Sequence, residues 1–569
     1  MLRPCFRELY ATSDSGGDHK PRVATDGDGV WIAVWRSEAG LSGTGTDGDI
    51  FCARLVDNGL SWSSPVLVNT NGVSDSGFDS SPVIANDRNG NWIVAWFAGG
   101  AETDNDILAS HSGNNGASWS APTLVNSTGL SDTQHDDYPT IATDGYGTWI
   151  VAWVSRENIA NTGFDRDFVF SISDDNGNNW TEPDALHPFF ASDSSGDTGP
   201  EMAADSSGNW MIVWASAEDI YETGANDADI FFSRSSDAGV PWTEPAHVNS
   251  NAETDSAFAL DFEPHLVTDG NGNWVVTWGS IEDLSGVGDD PDIFVSHSPD
   301  HGDNWSTVTY LNTNATTDGV DDIDISPTIA TDSLGNWIAV WESSNNLSGA
   351  GTDTDVFVSH STNNDETWTD PAFLNTNAAA DSGHDVWPFM ATDGAGNWVP
   401  AWESEDGLSG SGGDADIFCT TMDWTAERIA EDARFQFAVY DITDDGNLNY
   451  LEWIAAGLIS AYFITMSGGD SQVSMDNALN GSGLTPHSLN QVYVDFDVTN
   501  PGNGTSSSPL RTLNEGLGMV TRNNNGLIWV MPGTSTETFA SGSMINPSAK
   551  ITFTKDFDGT NNKVKIGQE

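Results

Sequence analysis

The sequence is poor in positive charge. Only 18 of its 569 residues are Lys or Arg, against 85 Asp and Glu, and the formal net charge is -67. Nucleic acids and anionic membrane surfaces are bound through basic patches, so this balance excludes both as partners. No apolar run approaches the roughly 18 residues of a membrane-spanning helix, so no membrane insertion is expected. Three cysteines are too few for a disulfide framework or a cysteine zinc site.

Aromatic residues, by contrast, are abundant. They make up 10% of the chain, which contains 24 Trp. An acidic disordered chain would lack them, so this chain is expected to bury a core. A string that reads TDGDGVWIAVW in its first copy recurs along the chain, and most of the Trp residues recur with it. The first Trp of each copy falls at residues 31, 92, 149, 210, 274, 337 and 398.

Each repeat reads as four short strands, here named a to d in chain order. Strand a (SPVIAND) leads through a Gly/Asn turn into strand b (NWIVAW), strand c is apolar (DIFVSHS), and strand d follows another turn (SAPTLVN). Seven such units, none able to bury its own face alone, predict an all-β, seven-bladed β-propeller. No helical periodicity appears within them.

The seventh repeat lacks strand d before the composition changes at Asp423. The N-terminal stretch FRELYATSDSGGDHKP is similar to the end of a repeat. We therefore expect the N-terminal strand to close the propeller by completing the seventh blade. This pairing would bring Cys5 near Cys419, where an exported protein could form a disulfide and a cytosolic one would keep both thiols reduced.

Between strands c and d the repeats carry Ser-x-Asp-x-Gly-x-x-Trp. Intact copies are Ser173-Asp175-Gly177-Trp180, Ser235-Asp237-Gly239-Trp242 and Ser298-Asp300-Gly302-Trp305. This motif resembles the Asp-box, or bacterial neuraminidase repeat, of sialidase-like propellers, and the resemblance covers residues 1–421. It implies a structural turn on the face opposite an active site, and an exo-α-sialidase as the enzyme hypothesis.

The residues of a sialidase site are only partly matched. The family uses an Arg triad, a Tyr–Glu pair, an Asp acid/base and an Arg-Ile-Pro motif, where this chain has Lys20-Pro21-Arg22-Val23. Repeats five to seven contain no Arg. We therefore assign no catalytic residue and favour a protein that binds extracellular glycans or other ligands, or acts as a scaffold. The alternative is a glycoside hydrolase acting on sialylated or other acidic glycans. The candidate ligand face comprises Arg22, Arg36, Arg156, Arg166 and Trp387.

Aspartates recur in register on that face. The loop before each strand c ends Asp-x-Asp, as in Asp47/Asp49 and Asp290/Asp292, and an Asp such as Asp324 stands three residues ahead of the Pro in each strand a. Two interpretations are open: the carboxylates accept hydrogen bonds that hold the blades, or they bind Ca²⁺.

A different segment follows Asp423. A helical pattern leads into a loop that resembles an EF-hand, with Gly446 at its sixth position. The predicted calcium ligands are Asp441, Thr443, Asp445, Asn447, Asn449 and Glu452. Calcium is thus the expected cofactor.

The last segment, from about Gln491, resembles the opening of pectate-lyase-like right-handed parallel β-helices, with GTSSSPLRTL before a strand ending in Pro-Gly-Thr. The predicted domains are 1–422 (propeller), 423–480 (EF-hand segment) and 481–569 (an incomplete β-helix). The expected location is extracellular or at the cell surface. The opening MLRPCFRELY shows no signal peptide, and the chain reads as truncated.

Overall fold

Repeated four-stranded antiparallel sheets make up the first 423 residues. The structure is a computed structural model, and the chain divides into two compact units, Leu2–Asp423 and Trp424–Glu569. It describes residues 3–8 and 16–423 except 56–61, 75, 101–102, 128–133, 192–194, 206, 219–226, 238, 253–259, 285–289, 318, 320–321, 348–352, 376–377, 379–381 and 407–414, and after 423 only six short strands. The side chains of residues 3–8 and of those six strands are not described.

Seven blades follow one another along the chain, and the first six each contain strands a to d in chain order. Blade 1 contains β2 (Asp18–Thr25), β3 (Trp31–Ser37), β4 (Asp49–Leu55) and β5 (Val66–Leu67). Blade 2 contains β6 (Phe78–Asn86), β7 (Trp92–Gly100), β8 (Thr103–Ser112) and β9 (Thr123–Leu124). Blade 3 contains β10 (Asp136–Thr143), β11 (Trp149–Ser155), β12 (Asp167–Ser173) and β13 (Asp184–Ala185). Blade 4 contains β14 (Thr198–Ala204), β15 (Trp210–Ser216), β16 (Asp229–Ser235) and β17 (Ala246–His247).

Blades 5 to 7 continue the pattern. Blade 5 contains β18 (Asp261–Thr268), β19 (Trp274–Ser280), β20 (Asp292–Ser298) and β21 (Thr309–Tyr310). Blade 6 contains β22 (Asp324–Thr331), β23 (Trp337–Ser343), β24 (Asp355–Ser361) and β25 (Ala372–Phe373). Blade 7 contains β26 (Asp385–Thr392), β27 (Asn397–Ser404), β28 (Asp416–Asp423) and, as its outer strand, β1 (Arg3–Glu8). Among the described residues, short 3₁₀ turns lie at Leu41–Gly43, Ile159–Asn161 and Pro188–Ala191.

The predicted propeller and its closure by the N-terminal strand are both confirmed. Strand β1 pairs antiparallel with β28, with Arg7 opposite Cys419. Because the side chain of Cys5 lies outside the described part of the chain, the disulfide stays a prediction.

The Trp pairs of strand b form the core between blades. Trp274 and Trp278 lie on the same side of β19 because side chains of a strand alternate with period two, and both are buried. Each blade buries such a pair between its sheet and a neighbouring sheet. The buried core expected from the many aromatic residues is therefore confirmed, with these Trp pairs as part of it.

The second unit is described only as short strands. β29 (Asn447–Asn449) pairs antiparallel with β30 (Gln472–Ser474), and β31 (Gln491–Val494) pairs parallel with β32 (Gly526–Val530). β34 (Asn562–Gln568) pairs antiparallel with both β32 and β33 (Ala549–Lys555). The predicted helices and most of the EF-hand loop lie outside the described residues, as do most of the turns of the predicted β-helix. Both remain predictions.

In the part of the chain that the structure describes, no helix is long and apolar enough to cross a membrane.

Candidate functional site

The seven a strands line the centre of the propeller, where neighbouring a strands pack against each other. Each has the sequence Asp-x-X-Pro, and the residue X adopts a positive φ next to a shift in the pairing register between strands a and b. A positive φ is unfavourable for residues other than Gly, and backbone strain of this kind concentrates at functional sites. We call the seven X residues the mouth ring: Lys20, Ser81, Tyr138, Gly199, Glu263, Ser326 and Trp387.

The ammonium group of Lys20 lies close to three other residues of the mouth ring. Its Nζ lies 3.1 Å from the hydroxyl of Ser81, 5.9 Å from the ring centroid of Tyr138 and 5.8 Å from that of Trp387. Burial lowers its pKa, and the guanidinium groups of Arg22 and Arg36 lower it further. No other lysine occurs in the first 549 residues. A partly buried amine with a shifted pKa in a cleft is a candidate for ligand contact.

Aromatic side chains extend from the mouth ring across blade 2. Tyr138 is 46% exposed and Trp387 is 40% exposed. The ring of Phe97 lies 6.5 Å from Tyr138 and 5.9 Å from Phe78. Together Trp387, Tyr138, Phe97 and Phe78 form what we call the aromatic arc. Arg166 lies 5.7 Å from the centroid of Tyr138.

Carboxylates occupy the side of the mouth formed by blades 5 to 7. Glu342 is buried and accepts a hydrogen bond from the backbone N–H of Trp387 at 3.0 Å. Burial raises its pKa to about 7, and neighbouring Glu263 and Glu403 add to the rise. The hydroxyl of Ser326 donates to Glu263, while Glu403 lies 2.9 Å from the imidazole Nδ1 of His19.

A second layer of side chains from the a strands lies two residues beyond the mouth ring. Arg22 stacks on Phe389 with its guanidinium carbon 4.6 Å from the ring centroid, and His265 meets the same ring edge-on at 5.4 Å. Burial raises the pKa of Glu201 to about 6, with nearby Arg22 opposing the rise, and lowers the pKa of His265 to about 3. These side chains form a floor of mixed charge beneath the mouth ring.

The residues predicted for the ligand face are partly brought together. Arg22, Arg36 and Trp387 lie around Lys20, and Arg166 stacks on Tyr138. Arg156 directly follows β11, and its backbone N–H donates to the carbonyl of His135 at 3.3 Å. Among the described contacts, none joins its side chain to the mouth ring.

Sequence reasoning missed Lys20, Tyr138 and Glu342. The signal for the first two was the Asp-x-X-Pro repeat, whose third position varies from blade to blade while the Asp two residues before it and the Pro directly after it are constant.

The register-locked aspartates support the structural interpretation. The side-chain amide of one Asn donates to an Asp at the start of strand c in its own blade and to the first Asp of the next blade. Asn312, for example, lies 2.6 Å from Asp292 and 2.7 Å from Asp324, and its carbonyl oxygen accepts from the N–H of Ile293 at 3.1 Å. The same bridge is made by Asn69, Asn126, Asn249 and Asn375. Calcium binding by these loops stays an untested prediction.

The Asp-box turns lie at the end of strand c, away from the mouth. The hydroxyl of Ser298 accepts a hydrogen bond from the N–H of Gly302 at 2.8 Å and donates one to the carboxylate of Asp300 at 2.9 Å. Asp300 also accepts from the N–H of Asn304 at 2.9 Å. Gly302 has φ +83°, and a Cβ there would lie 2.6 Å from the methyl of Met211 in the preceding blade. The motif therefore closes the turn and packs blade against blade, as its structural interpretation predicts.

Comparison with protein families gives a match to part of the propeller. A family model described as "BNR repeat-like domain" matches residues 90–330. No curated protein matches the chain. Residues 90–330 are thus similar to BNR repeats, and the described residues up to Asp423 fold as a seven-bladed β-propeller.

Similar solved structures share little sequence with this chain. A protein of unknown function from Dyadobacter fermentans is 12% identical with a TM-score of 0.41, covering 74% of this chain and 100% of that one. A mutant of the NanB sialidase from Streptococcus pneumoniae is 14% identical with a TM-score of 0.40 (74% and 70% covered). A mutant α-L-arabinofuranosidase from Fusarium graminearum is 14% identical with a TM-score of 0.40 (62% and 97% covered).

Proposed function

We propose that the propeller is the glycan-binding part of a secreted or cell-surface protein, and that its ligand binds at the mouth ring. The observation that carries this proposal is the placement of Lys20 between the exposed rings of Tyr138 and Trp387. Sugar rings present apolar C–H faces together with hydroxyl groups. Exposed aromatic rings supply apolar contact area, and a nearby ammonium supplies hydrogen-bond donors.

A glycan array with the full chain, followed by isothermal titration calorimetry of the best ligand, tests this proposal. Replacing Trp387 by Ala removes an aromatic face, and we expect binding to weaken at least tenfold. Tyr146→Ala is the matched control, because Tyr146 is 78% exposed in the turn between strands a and b of blade 3, at the other end of these strands. Equal weakening by both variants, or the absence of any glycan ligand, would overturn the proposal.

We further propose that the segment after the propeller binds one Ca²⁺ through Asp441, Thr443, Asp445, Asn447, Asn449 and Glu452. The spacing of these residues supports it, because an EF-hand loop places oxygen ligands at positions 1, 3, 5, 7, 9 and 12. Calorimetric titration of the calcium-free full chain should show a binding event that Glu452→Gln weakens strongly. Titration unchanged by that substitution would contradict the site.

A second candidate function is glycoside hydrolysis, favoured by Glu342. A buried carboxyl whose pKa lies near 7 can act as a general acid at neutral pH, and Glu263 and Glu403 lie close enough to raise that pKa. Fluorogenic glycosides, sialosides included, would test it. Turnover that Glu342→Gln abolishes, with ligand binding retained, would establish a hydrolase. Binding without turnover of any glycoside would leave a binding protein.

A further inference from the structure

We infer that the mouth ring binds an extended acidic oligosaccharide, with sugar rings along the aromatic arc and an anionic group between Lys20 and Arg166. This inference rests on the proposed glycan-binding function and specifies its ligand. The anionic group is a uronate carboxylate or a sulfate ester, which share the same recognition chemistry.

The argument for an anion begins with two cations on one aromatic ring. Lys20 Nζ and the guanidinium carbon of Arg166 lie 5.9 and 5.7 Å from the centroid of Tyr138. Within the described part of the chain, neither side chain forms an ion pair, whereas Arg36 pairs with Glu38 and Arg234 pairs with Asp303. The carboxylates of Glu403 and Asp137 lie near enough to Lys20 to act against the lowering of its pKa, but neither forms a salt bridge with its ammonium group. The Nε of Arg166 is buried and has no hydrogen-bond acceptor among the residues that the structure describes.

Unpaired cations are unexpected in this chain, because 85 of its residues are Asp or Glu. A partly buried cation loses hydration, and it regains that free energy only from an opposite charge or from hydrogen-bond acceptors. Guanidinium and ammonium groups both form strong charge-assisted hydrogen bonds with carboxylate and sulfate oxygens. Lys20 and Arg166 are therefore available to a ligand anion.

The argument for an extended ligand comes from the shape of the aromatic arc. Trp387 belongs to blade 7, Tyr138 to blade 3, and Phe97 and Phe78 to blade 2. Lys20 Nζ lies between the rings of Trp387 and Tyr138, 5.8 and 5.9 Å from their centroids. From Tyr138 to Phe97 and from Phe97 to Phe78 the ring centroids are 6.5 and 5.9 Å apart. A single sugar cannot contact both ends, whereas a chain of several sugars laid across the mouth can.

The layer below the mouth ring favours the same arrangement. The side chain of Arg22 lies on Phe389, and His265 packs against the same ring, so side chains fill the space beneath Lys20. A ligand is therefore expected to lie across the mouth rather than to insert along the axis.

Calorimetry with the full chain and defined oligosaccharides tests the inference. The probes are oligogalacturonates of one, two and six units, a sulfated galactan hexamer, and a neutral xylan hexamer. We expect one of the anionic hexamers to bind at least tenfold tighter than the neutral hexamer and than the galacturonate monomer.

Lys20→Gln and Arg166→Gln should each abolish the preference for the anionic hexamer over the neutral one. Phe78→Ala should weaken the hexamer but not the dimer, and Arg234→Gln, on strand c of blade 4, is the matched control for loss of a cation.

The outcomes separate the inference from the function on which it rests. Tight binding of a neutral glycan with no preference for the anionic probes would overturn the anionic site. Equal affinity for monomer and hexamer would overturn the extended site. In either case the glycan-binding function would stand. Absence of binding to every glycan, on the array and in solution, would overturn both. The uronate and sulfate arms identify which anion the site prefers.

Discussion

The side-chain amide of Asn312, in blade 5, lies 2.7 Å from the carboxylate of Asp324, the first residue of blade 6. The same amide donates to Asp292 in its own blade. Asn312 is thus a bridge between adjacent blades, and its counterparts repeat the bridge at four other junctions. Part of the large negative charge of this chain is therefore buried and hydrogen-bonded, where it holds the blades in register.

We predict that Asn312→Ala destabilises the propeller by about 1–3 kcal/mol or more, because it leaves two buried carboxylates without their shared donor. Urea unfolding followed by Trp fluorescence measures the change. Asn271→Ala is the matched control, since Asn271 is exposed in the turn between strands a and b of blade 5 and should cost little. A loss no larger than that of the control would contradict the bridging role.

The Asp-box should matter for stability and not for binding. Ser298→Ala removes the buried acceptor of the Gly302 N–H, and we expect a loss of about 1–3 kcal/mol. Since β20 runs from Asp292 at the mouth end to Ser298, seven residues of strand separate this turn from the ligand face. Ligand affinity measured by calorimetry should therefore be unchanged. A parallel loss of affinity would place the Asp-box in the binding site.

Lys20→Gln should show the opposite pattern. Burial lowers the pKa of Lys20, so folding disfavours its charged form, and its removal should not reduce the free energy of unfolding. Binding should weaken. Stability and affinity measured on the same preparation test both parts, and a large loss of stability with unchanged affinity would assign Lys20 a purely structural role.

Stability should rise as the pH falls from 8.5 to 6.5. Burial raises the pKa of Asp261 to about 8 and those of Asp385 and Glu342 to about 7, so the folded chain takes up protons in this window that the unfolded chain does not. Below about pH 6.5 the gain should diminish. Burial lowers the pKa of His265 to about 3 and that of His360 to about 4. Below about pH 6.5 these two histidines therefore become protonated in the unfolded chain but stay neutral in the folded chain, which lowers the free energy of unfolding.

The urea midpoint at pH 8.5, 7.5 and 6.5 measures this dependence. Asp261→Asn replaces one titrating carboxyl by a neutral amide, and the variant should show a smaller increase. A wild-type midpoint that falls between pH 8.5 and 6.5 would be the opposite of the predicted sign.

The sequence predicted the repeating part of the fold because each repeat carries its own strand and turn pattern. The seven Trp-containing strands and the outer strand β1 follow from a period that is visible in the residues. The Asn bridges were not foreseen, since Asn312 lies 20 residues from one partner and 12 from the other. Only the packing of strands from two blades brings these groups together.

The candidate site was predicted less completely. Arginines were chosen by the face on which their loops lie. Arg166 lies against Tyr138 of the mouth ring, whereas no described contact joins the side chain of Arg156 to that ring. Lys20 and Tyr138 were missed because nothing in the sequence states that the residue before each Pro takes a positive φ. That backbone conformation is shared by all seven residues of the mouth ring, which differ widely in their chemistry.

The central claim, that ligand binds at the mouth ring around Lys20, is tested most directly by NMR of the reductively ¹³C-methylated full chain. Dimethylation retains the positive charge of lysine, the propeller contains no second lysine, and Lys20→Arg assigns the signal. We predict that this signal titrates below the pKa of an exposed lysine and shifts on addition of the oligosaccharide that binds most tightly. A Lys20 signal that stays unchanged at saturation, while calorimetry shows the ligand bound, would contradict the account.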